Sequence, residues 1–210
     1  MAAPAIDLEL VRRALRLPLP GVSGQLPMAP HPRTPGVLPP SQYLESGVVV
    51  LLYPHAGALW LVLTLRAENL AAHAGQISFP GGLREPEDAS FAATALREMK
   101  EELGLDPATV ELLGELSPLE IPVSGYRIHP WVAYAPLEPV FQPDPREVAA
   151  LLTVPLAHLL DPANTGLETR ILRGVEVTVP FYRVGAHQIW GATAMVLSEF
   201  LTLLRAAGRA

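Results

Sequence analysis

The stretch that decides the fold is residues 81–105, which read GGLREPEDASFAATALREMKEELGL. A Gly-Gly turn leads into an Ala-rich segment, which predicts a helix from about Ala89 to Leu103 that Gly104 ends. At about 100° per residue, the apolar side chains of this helix gather on one side. The acidic side chains fall within an arc of about 100° on the roughly opposite side. These acidic residues are Glu98, Glu101 and Glu102.

This acidic patch has two interpretations. Glu-rich helix faces are usually solvated surfaces, but three like charges also attract a hard divalent cation, which prefers oxygen ligands. Two features favour the cation. The Gly81-Gly82 turn allows the backbone to approach a ligand closely. Lys100 is the only lysine of the chain, so the face is not built as a lattice of Glu–Lys ion pairs.

The composition narrows the class of protein. The 210 residues include 23 prolines, no cysteine, and 21 acidic against 15 basic side chains, for a net charge of −6. The length fits one domain, or one domain with an extension. The lack of cysteine excludes disulfides, a thiolate nucleophile and metal sites built on Cys. The negative charge argues against a nucleic-acid partner, because such proteins usually present a basic face.

The sequence predicts no membrane-spanning segment. The uncharged run from Val48 to Leu65 is interrupted at 54–57 by the turn residues Pro-His-Ala-Gly, which leaves two runs too short to cross a bilayer. Charged residues near the N-terminus argue against a signal peptide. We therefore expect a cytoplasmic protein without a membrane partner.

Patterns along the chain predict an α/β (α+β) protein with a mixed sheet. Residues 6–17 have helical spacing, and eight prolines within 18–40 indicate an irregular segment. The chain is thus divided into an N-terminal helix with a Pro-rich extension, 1–43, and a main domain, 44–210. Strands are predicted at 47–53 and 59–65 (a hairpin), 110–116, 128–134 and 176–182, a strand with a helix start at 148–160, and a closing helix at 193–207.

Residues 97–105 follow the pattern Arg-Glu-hydrophobic-x-Glu-Glu-x-Gly-hydrophobic, and in this they resemble the Nudix box. Gly82 and Asp88 lie one place before the glycine and glutamate positions of that box, an offset typical of the coenzyme A diphosphatase branch of the family. A second signature of this branch resembles three upstream segments. They are VLTLRA (62–67), LAAHAGQ (70–76), in which Ala71 replaces the usual arginine, and FPGG (79–82).

The resemblance implies the Nudix fold, a mixed sheet between helices, and hydrolysis of a diphosphate that links a nucleoside to another group. Such phosphoryl transfer depends on neutralising charge, a role suited to Mg²⁺ or Mn²⁺. Glu98 and Glu102 are then the main metal ligands, and Glu101 is either a third ligand or the base that deprotonates water. The carbonyl of Gly82 supplies another oxygen, and Arg97 orients the carboxylates.

Further candidates lie outside the helix. Glu147 and Glu120 are candidate general bases, with a solvated acid as the alternative interpretation of Glu147. Asp88 is predicted to cap the helix, and Phe79 and Trp190 are predicted to lie in the core. The signature assigns four residues to substrate binding: Arg66, His73, Gly75 and Gln76.

Three functions are consistent with these residues. The first is a diphosphatase for coenzyme A or acyl-CoA, which releases 3′,5′-ADP and a phosphopantetheine. The second is a Nudix hydrolase for another small nucleotide, such as ADP-ribose, NADH or a nucleoside triphosphate, which Ala71 leaves open. The third is a non-catalytic ligand-binding domain, disfavoured because such domains typically lose box carboxylates that this chain keeps. The apolar C-terminal helix and the proline-rich arm are candidate surfaces for a homodimer.

Overall fold

The computed structural model describes residues 6–32, 38–67 and 75–209. In these ranges the helices are α1 (Leu8–Leu15), α2 (Val22–Gln25), α3 (Phe91–Leu103), α4 (Leu156–Leu160) and α5 (Gly191–Ala207). The strands are β1 (Leu44–His55), β2 (Ala58–Arg66), β3 (Ile77–Ser78), β4 (Gly81–Leu83), β5 (Glu111–Glu115), β6 (Leu119–Ile121), β7 (Tyr126–Tyr134), β8 (Val148–Pro155), β9 (Thr165–Leu172), β10 (Val175–Val184) and β11 (His187–Trp190).

The larger sheet is mixed, as the sequence predicts. In the described residues it has the order β3-β2-β1-β7-β5, with β4 paired to β1, β6 to β7 and β8 to β2. The β1–β7 pair is parallel, whereas the β1–β2 pair is antiparallel. The predicted hairpin is this β1–β2 pair. Its turn residues Ala56 and Gly57 both have positive φ, 49° and 76°, as a two-residue type I′ turn requires.

Helices cover both faces of the larger sheet because β1 is apolar on both faces. Val50 and Leu52 belong to a core shared with α1 and α5, while Val49 and Leu51 belong to a second core shared with α3. All four side chains are fully buried. Successive side chains of a strand point to opposite faces. The sheet therefore lies between helices, and the predicted α/β class is confirmed.

The two ends of the chain meet in one core. Asp7 caps α1 by accepting a hydrogen bond from the Leu10 N–H at 2.8 Å, and α1 buries Leu10, Val11 and Ala14. These residues belong to the same core as most of α5. Both predicted terminal helices are confirmed, and the N-terminal arm contributes to the main core. No helix in the described ranges has the length and apolar character needed to cross a membrane.

The smaller sheet has the order β11-β10-β9, with antiparallel pairs. The sequence predicts only β10. The strand β9 shows no apolar face typical of a core strand, because Leu167 and Ile171 are exposed and Leu172 is only half-buried. This sheet lies beside β3, where the Thr193 hydroxyl at the start of α5 donates to the Ile77 carbonyl oxygen at 2.9 Å.

Candidate active site

Two glycines allow α3 to lie close against the sheet. A Cβ on Gly47 of β1 would lie 2.5 Å from the Phe91 carbonyl oxygen and 2.9 Å from Thr94 Cβ. Gly82 of β4 pairs with Gly47, and a Cβ on Gly82 would overlap the Glu98 carboxylate. Because both positions lack a side chain, Glu98 reaches the backbone of β4. The structure thus brings together two of the predicted metal ligands, Glu98 and Gly82.

The start of α3 differs from the prediction. Its N-cap is Ser90, whose Oγ accepts a hydrogen bond from the Ala93 N–H at 3.2 Å. Asp88 lies two residues before the cap, and its carboxylate accepts from the Glu85 N–H at 3.0 Å and from Arg97 at 3.1 and 3.2 Å. The Arg97 bonds are the main reason that the pKa of Asp88 falls to about 2. The prediction that Asp88 caps the helix is wrong; this residue anchors Arg97.

Arg97 connects the turn after β4 to the acidic face of α3. Its Nη1 donates to Glu98 Oε1 at 2.9 Å and to Glu101 Oε2 at 3.0 Å, and its Nη2 donates to the Leu83 carbonyl oxygen at 2.9 Å. Hydrogen bonds to the Asp88 and Glu98 carboxylates raise the pKa of Arg97 above its ordinary value. The guanidinium thus holds two of the predicted site carboxylates, which is the placement that an orienting role requires.

Glu102 is the most deeply buried acid of the patch, with a side chain that is 1% exposed. Its Oε1 accepts from Arg66 Nη1 at 3.3 Å, and its buried Oε2 has no hydrogen-bond partner among the described residues. Burial raises the pKa of Glu102 to about 8, although Arg66 opposes this shift. The negative charges of Glu98 and Glu147 contribute to this increase in pKa.

The three acids of the helix differ in their surroundings. Glu98 is 13% exposed and Glu101 is 52% exposed, and burial is also the main cause that raises the pKa of Glu98. The segment after β7 contacts the C-terminal end of α3, where the Asp144 N–H donates to the Glu102 carbonyl oxygen at 3.2 Å. The face is therefore not a uniformly solvated surface, and only Glu101 fits that interpretation.

The two candidate bases lie in different places. Glu147 lies close enough to the patch for its charge to raise the pKa of both Glu98 and Glu102. Glu120 accepts from Arg127 Nε at 3.1 Å and from the Tyr43 hydroxyl at 3.4 Å, in a cluster at the paired ends of β6 and β7. Of the two candidate bases, the structure therefore places Glu147, and not Glu120, near the acidic patch.

Three of the four predicted substrate-binding residues, Arg66, Gly75 and Gln76, lie at the end of β2, next to the acidic patch. The Arg66 N–H donates to the Gln76 carbonyl oxygen at 3.0 Å, and the Gly75 N–H donates to the Arg66 carbonyl oxygen at 3.1 Å. The side chain of Arg66 contacts Glu102, so one residue joins this segment to the carboxylates. His73 and Ala71 lie outside the described residues.

The two aromatic residues of the sequence prediction have different environments. Phe79 is buried, as predicted. Trp190 is only half-buried, and the guanidinium carbon of Arg170 lies 4.3 Å from its ring centroid. Trp190 and Arg170 line a cavity of about 370 Å³, together with Gly75 and Gln76. The sequence analysis did not identify Arg170 as a candidate site residue, because it lies on β9, which carries no recognisable motif.

The oxygen donors of the patch fit a divalent metal ion. Glu102 Oε2 is a buried acceptor that lacks a partner in the described structure, and Glu98 lies against the backbone of Gly82. Carboxylate and carbonyl oxygens are the ligands that Mg²⁺ and Mn²⁺ prefer. Within the described ranges, no three Asp, Glu or His side chains already form a metal-ligand cluster. Arg97 and Arg66 instead bind several of the carboxylate oxygens.

Comparisons with known proteins point to one family. A family model described as the NUDIX domain matches residues 44–173. A Photorhabdus laumondii protein named uncharacterized Nudix hydrolase NudL is 39% identical over 139 residues, or 66% of this chain and 74% of that protein. The human protein named mitochondrial coenzyme A diphosphatase NUDT8 is 38% identical over 168 residues, or 78% of this chain and 70% of that protein. A solved MutT/nudix family protein from Enterococcus faecalis superposes with a TM-score of 0.49 at 17% identity, and covers 93% of this chain and 73% of its own.

Proposed function

Because this chain belongs to the Nudix hydrolase family, we propose that it hydrolyses the diphosphate linkage of coenzyme A or acyl-CoA with the help of Mg²⁺ or Mn²⁺. The products are 3′,5′-ADP and 4′-phosphopantetheine or its acyl form. The observation that carries the proposal is the Glu102 carboxylate, buried beside Arg66 with one oxygen unpartnered in the described structure. A buried carboxylate with a perturbed pKa beside a specific charged partner marks a candidate functional site, and carboxylate oxygens are ligands that hard divalent cations prefer.

The reaction adds one water molecule across the diphosphate. The water oxygen forms a bond to one phosphorus, the bridging P–O bond breaks, and the leaving phosphate keeps the electron pair. In the proposal, Glu147 or Glu101 takes the proton from the water, and Arg97 keeps Glu98 and Glu101 oriented. A bound Mg²⁺ or Mn²⁺ would neutralise charge that develops on the phosphate oxygens. Glu98, Glu102 and the Gly82 carbonyl would hold it, and Glu101 would be a third carboxylate ligand if Glu147 is the base.

Coenzyme A is the proposed substrate for two reasons. The human relative that is 38% identical over most of this chain is named for this activity, and segments 62–67 and 79–82 resemble the signature of the same branch. Ala71 is the observation that favours a second candidate, a Nudix hydrolase for ADP-ribose, NADH or another nucleoside diphosphate derivative. An arginine is the side chain best suited to a phosphate at that position, and this chain lacks it.

A substrate panel tests the proposal. The purified full chain is incubated with Mg²⁺ or Mn²⁺ and with coenzyme A, acetyl-CoA, ADP-ribose, NADH and a dinucleoside polyphosphate. We expect the highest kcat/KM with coenzyme A or acetyl-CoA, with 3′,5′-ADP as a product. Turnover of ADP-ribose alone would replace the first candidate by the second, and no turnover of any compound would leave the non-catalytic interpretation.

The specificity prediction has its own test, the variant Ala71→Arg. If the missing arginine weakens a phosphate contact, the variant raises kcat/KM for coenzyme A and leaves that for ADP-ribose unchanged. An unchanged kcat/KM for coenzyme A would contradict the assignment of position 71 to phosphate binding.

The cytoplasmic location and the homodimer stay predictions, and the human relative is named as a mitochondrial protein.

A further inference from the structure

A cavity of about 370 Å³, which is lined in part by Leu65, the residue before Arg66, has no role in the hydrolysis step described above. One wall is the segment that leads into β3, with Gly75 and Gln76. The other wall is the smaller sheet, with Arg170 on β9 and Gln188 and Trp190 on β11. This volume lies within the range of small-molecule sites. The cavity therefore has room for one end of a dinucleotide-sized substrate.

Arg170 is fixed in this wall by three neighbours. Its guanidinium carbon lies 4.3 Å from the Trp190 ring centroid, and its Nη2 donates to Gln188 Oε1 at 2.6 Å. Its Nε donates to Glu168 Oε1. The side chain is 26% exposed, so it is held in one orientation without being sealed from a ligand. A guanidinium that is already ordered loses little conformational entropy when it binds.

The chemistry of the lining matches an adenine nucleotide. Guanidinium planes stack on bases and donate to phosphate oxygens, and carboxamides match the donor and acceptor edge of adenine. The cavity offers Arg170 for the first role, with the exposed His187 at its margin, whereas the Gln188 carboxamide is already hydrogen-bonded to Arg170 and Glu168. Glu168, paired with Arg170, would oppose a phosphate directly beside it but accept a hydrogen bond from an exocyclic amine.

Arg66 places this cavity next to the proposed reaction centre. Its guanidinium donates to Glu102, while its backbone is hydrogen-bonded to Gly75 and Gln76 of the cavity wall. A diphosphate bound at the carboxylates would therefore have one of its two substituents beside the cavity.

We propose that this cavity binds the adenosine end of the substrate, and that Arg170 is its specificity-determining residue. The inference rests on the proposed diphosphatase function for the identity of the substrate. It rests on the cavity alone for the class of ligand, an adenine nucleotide.

Calorimetry on the full chain with Mg²⁺ tests this inference. The ligands are 3′,5′-ADP, 5′-AMP and 4′-phosphopantetheine, and the variants are Arg170→Gln and the control Arg173→Gln. Arg173 lies in the turn after β9 and outside the cavity lining, so the control removes the same charge from the same hairpin. We expect Arg170→Gln to raise the Kd of 3′,5′-ADP about tenfold or more, and to leave the Kd of 4′-phosphopantetheine unchanged.

The 5′-AMP arm shows which group is bound. An equal loss of affinity for 5′-AMP supports contact to the base or ribose. A loss of affinity confined to 3′,5′-ADP supports contact to the 3′-phosphate. Three results would overturn the proposal. They are an unchanged Kd for 3′,5′-ADP, a loss of affinity confined to 4′-phosphopantetheine, and an equal loss of affinity in the Arg173→Gln control. If Arg170→Gln lowers the melting temperature strongly, the exposed His187→Gln variant replaces it, with a several-fold rise in the Kd of 3′,5′-ADP expected.

The same proteins separate this inference from the proposed function. Turnover of coenzyme A by the unchanged chain, with nucleotide affinity insensitive to Arg170, refutes only the cavity assignment. Arg170-dependent binding of adenine nucleotides without turnover of coenzyme A refutes only the proposed substrate.

Discussion

The carboxylate of Glu102 lowers the free energy of unfolding of the metal-free protein whenever it is ionised. Its side chain is 1% exposed, and burial moves its pKa from an ordinary 4.5 to about 8. The unfolded chain therefore loses this proton near pH 4.5, whereas the folded chain retains it up to about pH 8. Stability from this group is fully present below pH 4.5 and is lost as the pH rises to about 8.

Glu102→Gln should nearly abolish turnover and stabilise the metal-free protein at alkaline pH. The amide keeps the shape of the side chain but removes the charge that burial penalises, and it is a poorer metal ligand. The difference in melting temperature between variant and parent should increase from pH 4.5 to pH 8 and then level off. Thermal unfolding over this pH range, with a turnover assay, measures both effects. The exposed Glu115→Gln on β5 is the control. A fully active Glu102→Gln, or a pH-independent difference, would contradict the assignment.

Binding of Mg²⁺ or Mn²⁺ should release a proton near pH 7. A metal ligand has to be deprotonated, and Glu102 with a pKa of about 8 is mostly protonated at that pH. The apparent metal affinity should therefore rise between pH 6 and pH 8 and flatten above it. Calorimetric titrations in two buffers of different ionisation enthalpy give the number of protons released. Release of no proton at pH 7 would show that the metal does not displace the Glu102 proton.

At the scale of single residues, the site could be predicted only where a motif fixes the spacing. The box places Glu98, Glu101 and Glu102 on one helix, and the structure keeps them there. It could not show that Glu102 is buried, because the burial of a side chain on a helix depends on tertiary packing. Arg66 and Glu102 are 36 residues apart in sequence. No local pattern reports this contact.

At the scale of elements, prediction succeeded where the local signal was strong. The helix α3 has a Ser cap, a long Ala-rich body and Gly104 in the left-handed region at φ 68°, and its end was predicted correctly. The strands β3, β4, β6 and β11 have only two to four residues, too few for a period of two to be visible. Prediction missed β9 because two of its apolar residues, Leu167 and Ile171, are exposed.

Gly47→Ala should destabilise the protein and reduce turnover together. An added Cβ would lie 2.5 Å from the Phe91 carbonyl oxygen, so α3 has to move away from β1, and Glu98 moves with it. Overpacking of this kind costs about 1–3 kcal/mol. Gly114→Ala on β5 is the matched control, since its Cβ would be 3.6 Å from the nearest atom, Leu15 Cβ. Urea unfolding and kcat measure both effects, and equal stability of the two variants would contradict the close contact.

At the scale of the whole molecule, residues of the predicted extension, 1–43, and of the predicted main domain, 44–210, share one core. The extension supplies Leu10, Val11 and Ala14 to the core that α5 fills. It is also tied to α5 by Gln25, whose Nε2 donates to Glu199 Oε2 at 2.9 Å across 174 residues. Composition shows the prolines of this arm, but contacts of such sequence separation arise only in the folded chain.

The arm should therefore contribute to stability without contributing to turnover, and Gln25→Ala tests this. Glu199 is fully buried, and its Oε1 already accepts from the Gly21 and Ser117 N–H groups at 3.2 Å. Removal of the Gln25 amide leaves Oε2 without this donor, at a cost of about 1–3 kcal/mol. We expect a lower urea midpoint with kcat and KM unchanged. Ser23→Ala, which removes only an exposed bond to the Pro20 carbonyl oxygen, should change the midpoint by much less. An equal midpoint for both variants would show that the arm is not anchored through Glu199, and a loss of kcat in Gln25→Ala would show that the anchor also positions the site.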